Sequence, residues 1–274
     1  REGRSFRTVV TPAFGKSLAE SPCVGCGQCV QACPVGALTV HDDRDVVWDM
    51  IDDSSKEVVA QVAPAVRITI AEALGEDPGT VSTGRLVTAM KRLGFDKVFD
   101  TDFTADLTIM EEGTELLSRL TNGGTLPMIT SCSPGWIKFC ETYYPDMIPH
   151  LSSCKSPQGM FGALIKEFYA RRQGKAPQDV CSVSVMPCTA KKFECKRPEL
   201  GRDGYQDIDA VLTVQELARM IDQAGIDFKT LPETPFDDPF GLGSGAGEIF
   251  GATGGVMEAA LRSVYEIVTK EELK

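Results

Sequence analysis

Three things are scarce in this 274-residue sequence: long apolar runs, basic charge and histidine. No apolar stretch approaches the roughly 18 residues that a bilayer-crossing helix needs, so the sequence offers no membrane span. Lysine and arginine number 28 against 39 aspartates and glutamates, a net charge of −11. A binder of nucleic acid or anionic membrane carries a basic footprint, and none is present. The charge suits a soluble chain with a cationic or metal-bearing redox partner. The two histidines, His41 and His150, fall in no motif and read as surface residues. Arg1, Glu2 and Arg4 introduce no apolar segment of the secretory kind. There is no internal repeat and no low-complexity tract. A hydrophobic content of 42% is ordinary for a globular protein, and the length suffices for one large domain or two smaller ones.

Cysteine is abundant by comparison. The ten are Cys23, Cys26, Cys29, Cys33, Cys132, Cys140, Cys154, Cys181, Cys188 and Cys195. A disulfide framework belongs to small secreted chains, and this one is larger and shows no secretion signal. Metal binding in a reducing cytoplasm accounts better for four cysteines within eleven residues. Cys23, Cys26, Cys29 and Cys33, followed by Pro34, have the spacing C-x2-C-x2-C-x3-C-P. Two-residue gaps let three thiolates converge on one face of a cubane, and Gly25 and Gly27 let the backbone approach the sulfides. In two-cluster ferredoxins the fourth cysteine of such a run serves the other cluster. A [4Fe–4S] site is therefore expected, with zinc as the alternative. A matching run ahead of Arg1 would complete a two-cluster arrangement, so the sequence reads as one cut at its beginning.

Residues 1–54 read as a small ferredoxin-like module. It has an extended lead-in over 6–12, the cysteine run, and a polar bridge carrying Asp42, Asp43, Asp45, Asp49, Asp52 and Asp53. Residues 55–274 form the second unit. Short apolar runs at 58–62, 97–99, 126–130, 180–186 and 210–213 predict strands. Helical spacing predicts helices over 67–74, 83–93, 105–120, 136–144, 160–172, 214–224 and 256–268. A glycine-rich loop spans 241–255. Strands alternating with helices predict an α/β fold with a helix-covered, largely parallel sheet. Ligands of such sheets sit beyond the carboxyl ends of the strands, and the cysteine-bearing turns after Thr130 and Met186 hold that position.

The first of these turns is Thr130-Ser131-Cys132-Ser133-Pro134-Gly135-Trp136. The second runs Met186-Pro187-Cys188-Thr189-Ala190-Lys191-Lys192-Phe193-Glu194. They resemble the first two signature motifs of the iron-only ([FeFe]) hydrogenases, TSC-C/S-PxW and MPCxxKxxE. Residues 250–258 resemble that family's pocket-lining segment. The resemblance covers essentially the whole chain, and it implies the first lobe of the active-site domain behind the ferredoxin-like module. Its cofactor would be the H-cluster, a [4Fe–4S] cubane joined through a cysteine sulfur to a two-iron unit with CO, cyanide and a bridging dithiolate.

The resemblance assigns roles residue by residue. Cys132 would pass protons at the bridging amine, a task for a weak acid. Lys191 would hold a cyanide through a charge-assisted hydrogen bond. Cys188 would ligate the cubane, Met186 and Phe250 would shape the pocket, and Pro187, Ser156 and Gln158 would make further cofactor contacts. The proton path would use Glu112, Glu115, Arg119, Ser152 and Glu194. Outside this context, Glu112, Glu115 and Arg119 would be a solvated helix face. Lys191 and Glu194 would be surface charges, Trp136 and Met186 core. Cys140, Cys181 and Cys195 read as ordinary thiols.

Two departures stand out. Ser133 occupies a position where the commoner pattern has a cubane-ligating cysteine, and serine is too hard a ligand for iron–sulfur chemistry. Cys154 is a candidate substitute; alternatively Cys132 shifts into ligation. The third family motif, which carries two more cysteines, has no counterpart after Cys195. The sequence therefore reads as a fragment or as half of a split protein, expected to be inactive alone.

The implied reaction is reversible reduction of protons to H2. Electrons would come from ferredoxin or an NAD-linked diaphorase-type subunit. Maturation proteins and a separate C-terminal lobe would be further partners. The alternatives are a non-catalytic relative of the iron–sulfur assembly type, a hydrogen-sensing paralogue, and a plain ferredoxin-like carrier. Cys132, Lys191, Glu194, Glu112 and Glu115 favour the enzyme, since a scaffold needs none of them.

Overall fold

The computed structural model describes residues 3–9, 11–202, 204–271 and 273. Arg1, Glu2 and Val10, on which the secretory reading and part of the 6–12 lead-in rest, lie outside the described residues. Four strands form one parallel sheet in the order β2-β1-β3-β6, with β1 at Glu57–Val62, β2 at Lys97–Asp100, β3 at Val180–Met186 and β6 at Ala210–Thr213. β4 (Gly201–Arg202) and β5 (Tyr205–Gln206) make a separate antiparallel hairpin. Val59 stands between Lys97 and Ser182, and Val183 pairs with Ala210.

Parallel neighbours require crossovers. The helices Val66–Ala73 and Thr83–Leu93 carry the chain from β1 out to β2. The return through Asp102–Asn122, Pro134–Tyr143 and Pro157–Leu164 brings it to β3, on the other side of β1. The crevice beyond β1 and β3 is thus the point where strand order reverses, the usual ligand position in such sheets. The Cys188 turn leaves β3 there.

Alternation along β1 sorts its side chains between two cores. Val58, Ala60 and Val62 join Val66, Ile70, Leu86, Met90, Leu217 and Ile221 on one face. Val59 joins Phe99, Phe161, Ile165, Tyr169 and Phe240 on the other. Gln61 shares the Val59 face, and its neighbours across the register are Ser182 beside Val59 and Ser184 beside Gln61. All three are fully buried. Buried polar groups need partners. Gln61 Nε2 donates to Gln158 O (3.2 Å), and Ser184 Oγ donates to Gln158 Oε1 (2.8 Å). On the helix Asp102–Asn122, Thr104, Thr108 and Glu112 lie four residues apart and are buried together. Gly113 admits the helix Gly255–Thr269, because a Cβ there would stand 3.3 Å from Val264 Cγ2.

Several expected elements differ. Residues 126–130 form no sheet strand, only one parallel bridge from Ile129 to Leu151. Pro127 has no N–H to give, and Arg119 occupies the carbonyls of Thr125, Pro149, His150 and Leu151. The Cys132 turn therefore hangs from a loop rather than a strand. The acidic bridge is a helix, Arg44–Asp52, whose Val47 lies in the main core with Trp48, Met50 and Ile51 packed against it. Residues 5–7 coil into a short 3-10 turn instead of extending. The helix expected over 160–172 starts at Pro157, capped by Ser156, and widens into a π turn over Ile165–Tyr169. Inside the glycine-rich loop, Ser244 caps a helix, Gly245–Phe250, and is itself held by Asp106. His150 is half-buried with Nδ1 2.9 Å from Pro127 O, whereas His41 is exposed beside Asp43.

Candidate active site

The site begins where β3 ends. Pro187 stops the strand, Cys188 and Thr189 turn, and Lys191–Glu194 makes one helical turn. Lys191 Nζ donates to Cys132 O (2.9 Å) and to Glu194 Oε2 (2.8 Å). Gln158 Nε2 donates to the same Glu194 oxygen (2.9 Å). The polar stripe of Gln61 and Ser184 thus continues through Gln158 to Glu194 and Lys191. Neither charge is the surface group that its residue type suggests, for Glu194 is 5% exposed. The carboxylate and ammonium neutralise one another, and a second donor steadies the carboxylate.

Across from Lys191 lies the Cys132 thiol. Burial pushes its pKa up, the Lys191 charge opposes this, and the Glu112 charge adds to it. Cys132 therefore holds its proton at neutral pH. Glu112 is buried, and neither carboxylate oxygen has a hydrogen-bond partner among the described residues. Burial raises its pKa, while Ser152 and Ser131, short of full hydrogen bonds, pull the other way. One turn further, Glu115 is the opposite case. Burial pushes it up, but Ser152, Arg119 and Ser153 outweigh that and hold it below the ordinary carboxylate range. Ser152 Oγ donates to Glu115 Oε2 (2.8 Å), and Arg119 Nη2 donates to Glu115 Oε1 (2.6 Å). The arrangement is an inner carboxyl held above the ordinary carboxylate range, a hydroxyl, and an outer carboxylate held below it.

Cys154 Sγ lies 3.7 Å from Glu115 Oε2, and burial pushes its pKa up to about 11. In that setting the thiol keeps its proton and faces Glu115. Ser133 is exposed at the start of the helix Pro134–Tyr143, so consecutive residues 132 and 133 differ in exposure. Trp136 is half-buried with its Nε1 unpartnered among the described residues. Met186 is buried in the main core, and Phe250 ends a short helix that packs on Asp102–Asn122.

The cysteine run occupies one loop with a single helical turn, Gln28–Gln31. Gly25 and Gly27 have φ of 72° and 74°, where a side chain is strained. Gly25 N donates to Cys23 Sγ (3.4 Å) and Ala37 N to Cys33 Sγ (3.2 Å). Backbone N–H groups of Val35, Leu38 and Ala37 lower the Cys33 pKa. Soft sulfur donors met by backbone N–H groups suit an iron–sulfur cluster. Among the described residues, no three cysteine, histidine or acidic groups stand together as a metal-holding set. Cys26 and Cys188 line one cavity of about 790 Å³, so the run and the Cys188 turn open onto shared space.

Four contributors escaped the sequence reading. Gln61 and Ser184 set Gln158. Asp43 and Glu216 meet Lys192 Nζ at 2.6 and 3.0 Å in a buried triad behind the Cys188 turn. Gln61, a lone amide in a β-branched strand, was the visible clue.

The sequence matches the family described as iron only hydrogenase large subunit, C-terminal domain, over residues 56–274, and a 4Fe-4S binding domain over 19–39. It is 51% identical to the NADP-reducing hydrogenase subunit HndD of Solidesulfovibrio fructosivorans, over 99% of this chain and 47% of that protein. A variant of the [FeFe]-hydrogenase HydA1 from Chlamydomonas reinhardtii superposes with a TM-score of 0.77 at 48% identity, covering 85% of this chain and 60% of that one. At greater distance, cytosolic iron-sulfur assembly component 3 of Pongo abelii is 30% identical over 91% of this chain and 55% of that protein. The chain spans about half the length of the hydrogenase subunit it matches. No helix among the described residues is long and apolar enough to cross a membrane. The parallel sheet, the two cysteine-bearing turns and these matches agree: the chain belongs to the iron-only hydrogenase large-subunit family.

Proposed function

We propose that this chain supplies the proton-handling lobe of a hydrogenase that interconverts protons, electrons and H2. The observation that carries this reading is the graded relay of Cys132, Glu112, Ser152 and Glu115 beside Lys191. Cys188 would ligate the cubane and Lys191 would hold a cyanide of the two-iron unit; when bound, that unit supplies the metal at which protons and electrons combine. Cys132 presents a protonated thiol there. Glu112, whose proton affinity burial raises, would replenish it. The Ser152 hydroxyl is bonded to Glu115 and would pass a proton inward once Glu112, whose oxygens have no hydrogen-bond partner among the described residues, turns to meet it. Arg119, pinned by four carbonyls, fixes Glu115 near the surface.

Cys23, Cys26, Cys29 and Cys33 would hold [4Fe–4S] clusters that bring electrons from ferredoxin or an NAD(P)-linked subunit. The ten free thiols suit a reducing compartment, the basis for placing the protein in the cytoplasm. An iron–sulfur assembly scaffold has no use for a proton relay, so the relay favours the enzyme. The test is hydrogen release from a reduced viologen by the whole protein after cluster loading. Full loading with no hydrogen release would leave the scaffold reading in its place.

A further inference from the structure

The cysteine run approaches both cysteine-bearing turns at glycines, most tightly at Gly27. A Cβ on Gly25 would stand 3.5 Å from Ala190 Cα, and one on Gly27 would stand 3.0 Å from Thr189 Oγ1. On the other side, a Cβ on Gly135 would stand 3.5 Å from Val24 O. One side-chain hydrogen bond closes this approach: Thr189 Oγ1 donates to Gly25 O at 2.7 Å. Its geometry is unusually direct. Thr189 follows Cys188, and the Gly25 carbonyl is bonded to the nitrogen of Cys26. A single hydrogen bond, from the side chain of the residue after Cys188 to the carbonyl of the residue before Cys26, therefore ties together the segments of the two cysteines that line the shared cavity. Farther along the same helical turn, Lys192 grips Asp43, ten residues after Cys33, at 2.6 Å.

We propose that Thr189 is a positioning residue for electron transfer: its hydroxyl latches the cysteine-run loop onto the Cys188 turn and sets the spacing of the two cluster sites. The electron-transfer part rests on the cluster assignments above; the latch itself does not. Cys26 and Cys188 would each hold one of the two clusters, which when bound would exchange one electron, one cluster oxidised as the other is reduced, with no proton or covalent bond exchanged.

Two variants test this. Thr189→Val keeps the shape and removes the donor; Thr189→Ser keeps the donor. In the cluster-free chain, amide hydrogen exchange over residues 23–27 should quicken about fivefold in Thr189→Val, the worth of one ordinary hydrogen bond. Thr189→Ser should stay near the unaltered protein. In the cluster-loaded protein, the magnetic interaction between the two reduced clusters in electron paramagnetic resonance should weaken in Thr189→Val and return in Thr189→Ser. Unchanged exchange in Thr189→Val would overturn the latch. Faster exchange with an unchanged magnetic interaction would overturn its role in electron transfer. An unaltered protein that takes up no second cluster would remove the cluster assignment, and with it the electron-transfer part, while exchange still decides the latch.

Discussion

Ser152 would be the hinge of the proposed relay, and Ser152→Ala is its most direct test. The hydroxyl is 6% exposed and donates to a Glu115 carboxylate whose side chain is 16% exposed. A hydrogen bond to a charged group is worth about 1.5–3 kcal/mol. Its loss raises the Glu115 pKa, while Arg119 and Ser153 still hold that carboxylate down. Glu115 starts below its ordinary value, so it remains ionised at neutral pH in the variant. Any loss of activity there comes from the missing hydroxyl, not from a changed charge. Hydrogen evolution from a reduced viologen, at matched iron content, should fall about a hundredfold or more, the scale of a general acid–base step. Ser152→Thr should recover most of it. Stability supplies a second readout. A depressed carboxylate pKa stabilises the fold above the unfolded value, and that stability disappears as pH falls through the folded value. The Ala variant should be less stable than the unaltered protein at pH 7 and equal to it in acid. Undiminished hydrogen evolution by Ser152→Ala at neutral pH would refute the relay.

Glu112→Gln should separate function from stability. The raised carboxyl pKa stabilises the fold at low pH and is lost as pH rises through the folded value, so at pH 7 the amide should match or exceed the parent by up to about 1–3 kcal/mol in urea unfolding, while hydrogen evolution collapses. A variant both less stable and fully active would contradict the assignment. Cys154→Ala should leave the cubane absorbance and iron content unchanged, because its thiol meets Glu115; loss of one cubane's iron would make it a ligand after all. Lys192→Met should cost about 3–5 kcal/mol in the same unfolding assay, by stranding Asp43 and Glu216 in the interior. A negligible cost would mean that water reaches the triad.

The parallel sheet was legible because β1 and β3 are β-branched runs bounded by proline, and the crossover helices carry a plain apolar period. The site was legible where its chemistry is local: Cys188, Lys191 and Glu194 fall on one short turn. Two kinds of feature were not. The helix Arg44–Asp52 hides Val47 among aspartates whose charges face solvent, so its composition imitates a linker. The loop 126–130 has strand composition, but Arg119 ties it to the carbonyls of Pro149, His150 and Leu151, which lie about twenty residues beyond it in sequence. Cys154 was open to both fates for the same reason: nothing near it in sequence announces Glu115.

The buried polar stripe explains how these parts cohere. A sheet face covered by aromatic side chains gains nothing from Gln61 and Ser184 unless their hydrogen bonds are spent on geometry. Between them they fix both ends of the Gln158 residue: its carbonyl receives Gln61, and its amide oxygen receives Ser184. The amide nitrogen is then left only one orientation, toward Glu194. Glu194 in turn orients Lys191, and Lys191 reaches the Cys132 carbonyl. The Cys132 segment is therefore anchored to the rigid sheet, although it is itself a loop. The sheet steadies the reactive loop from below through polar contacts, and the same face buries its aromatic core a few residues away.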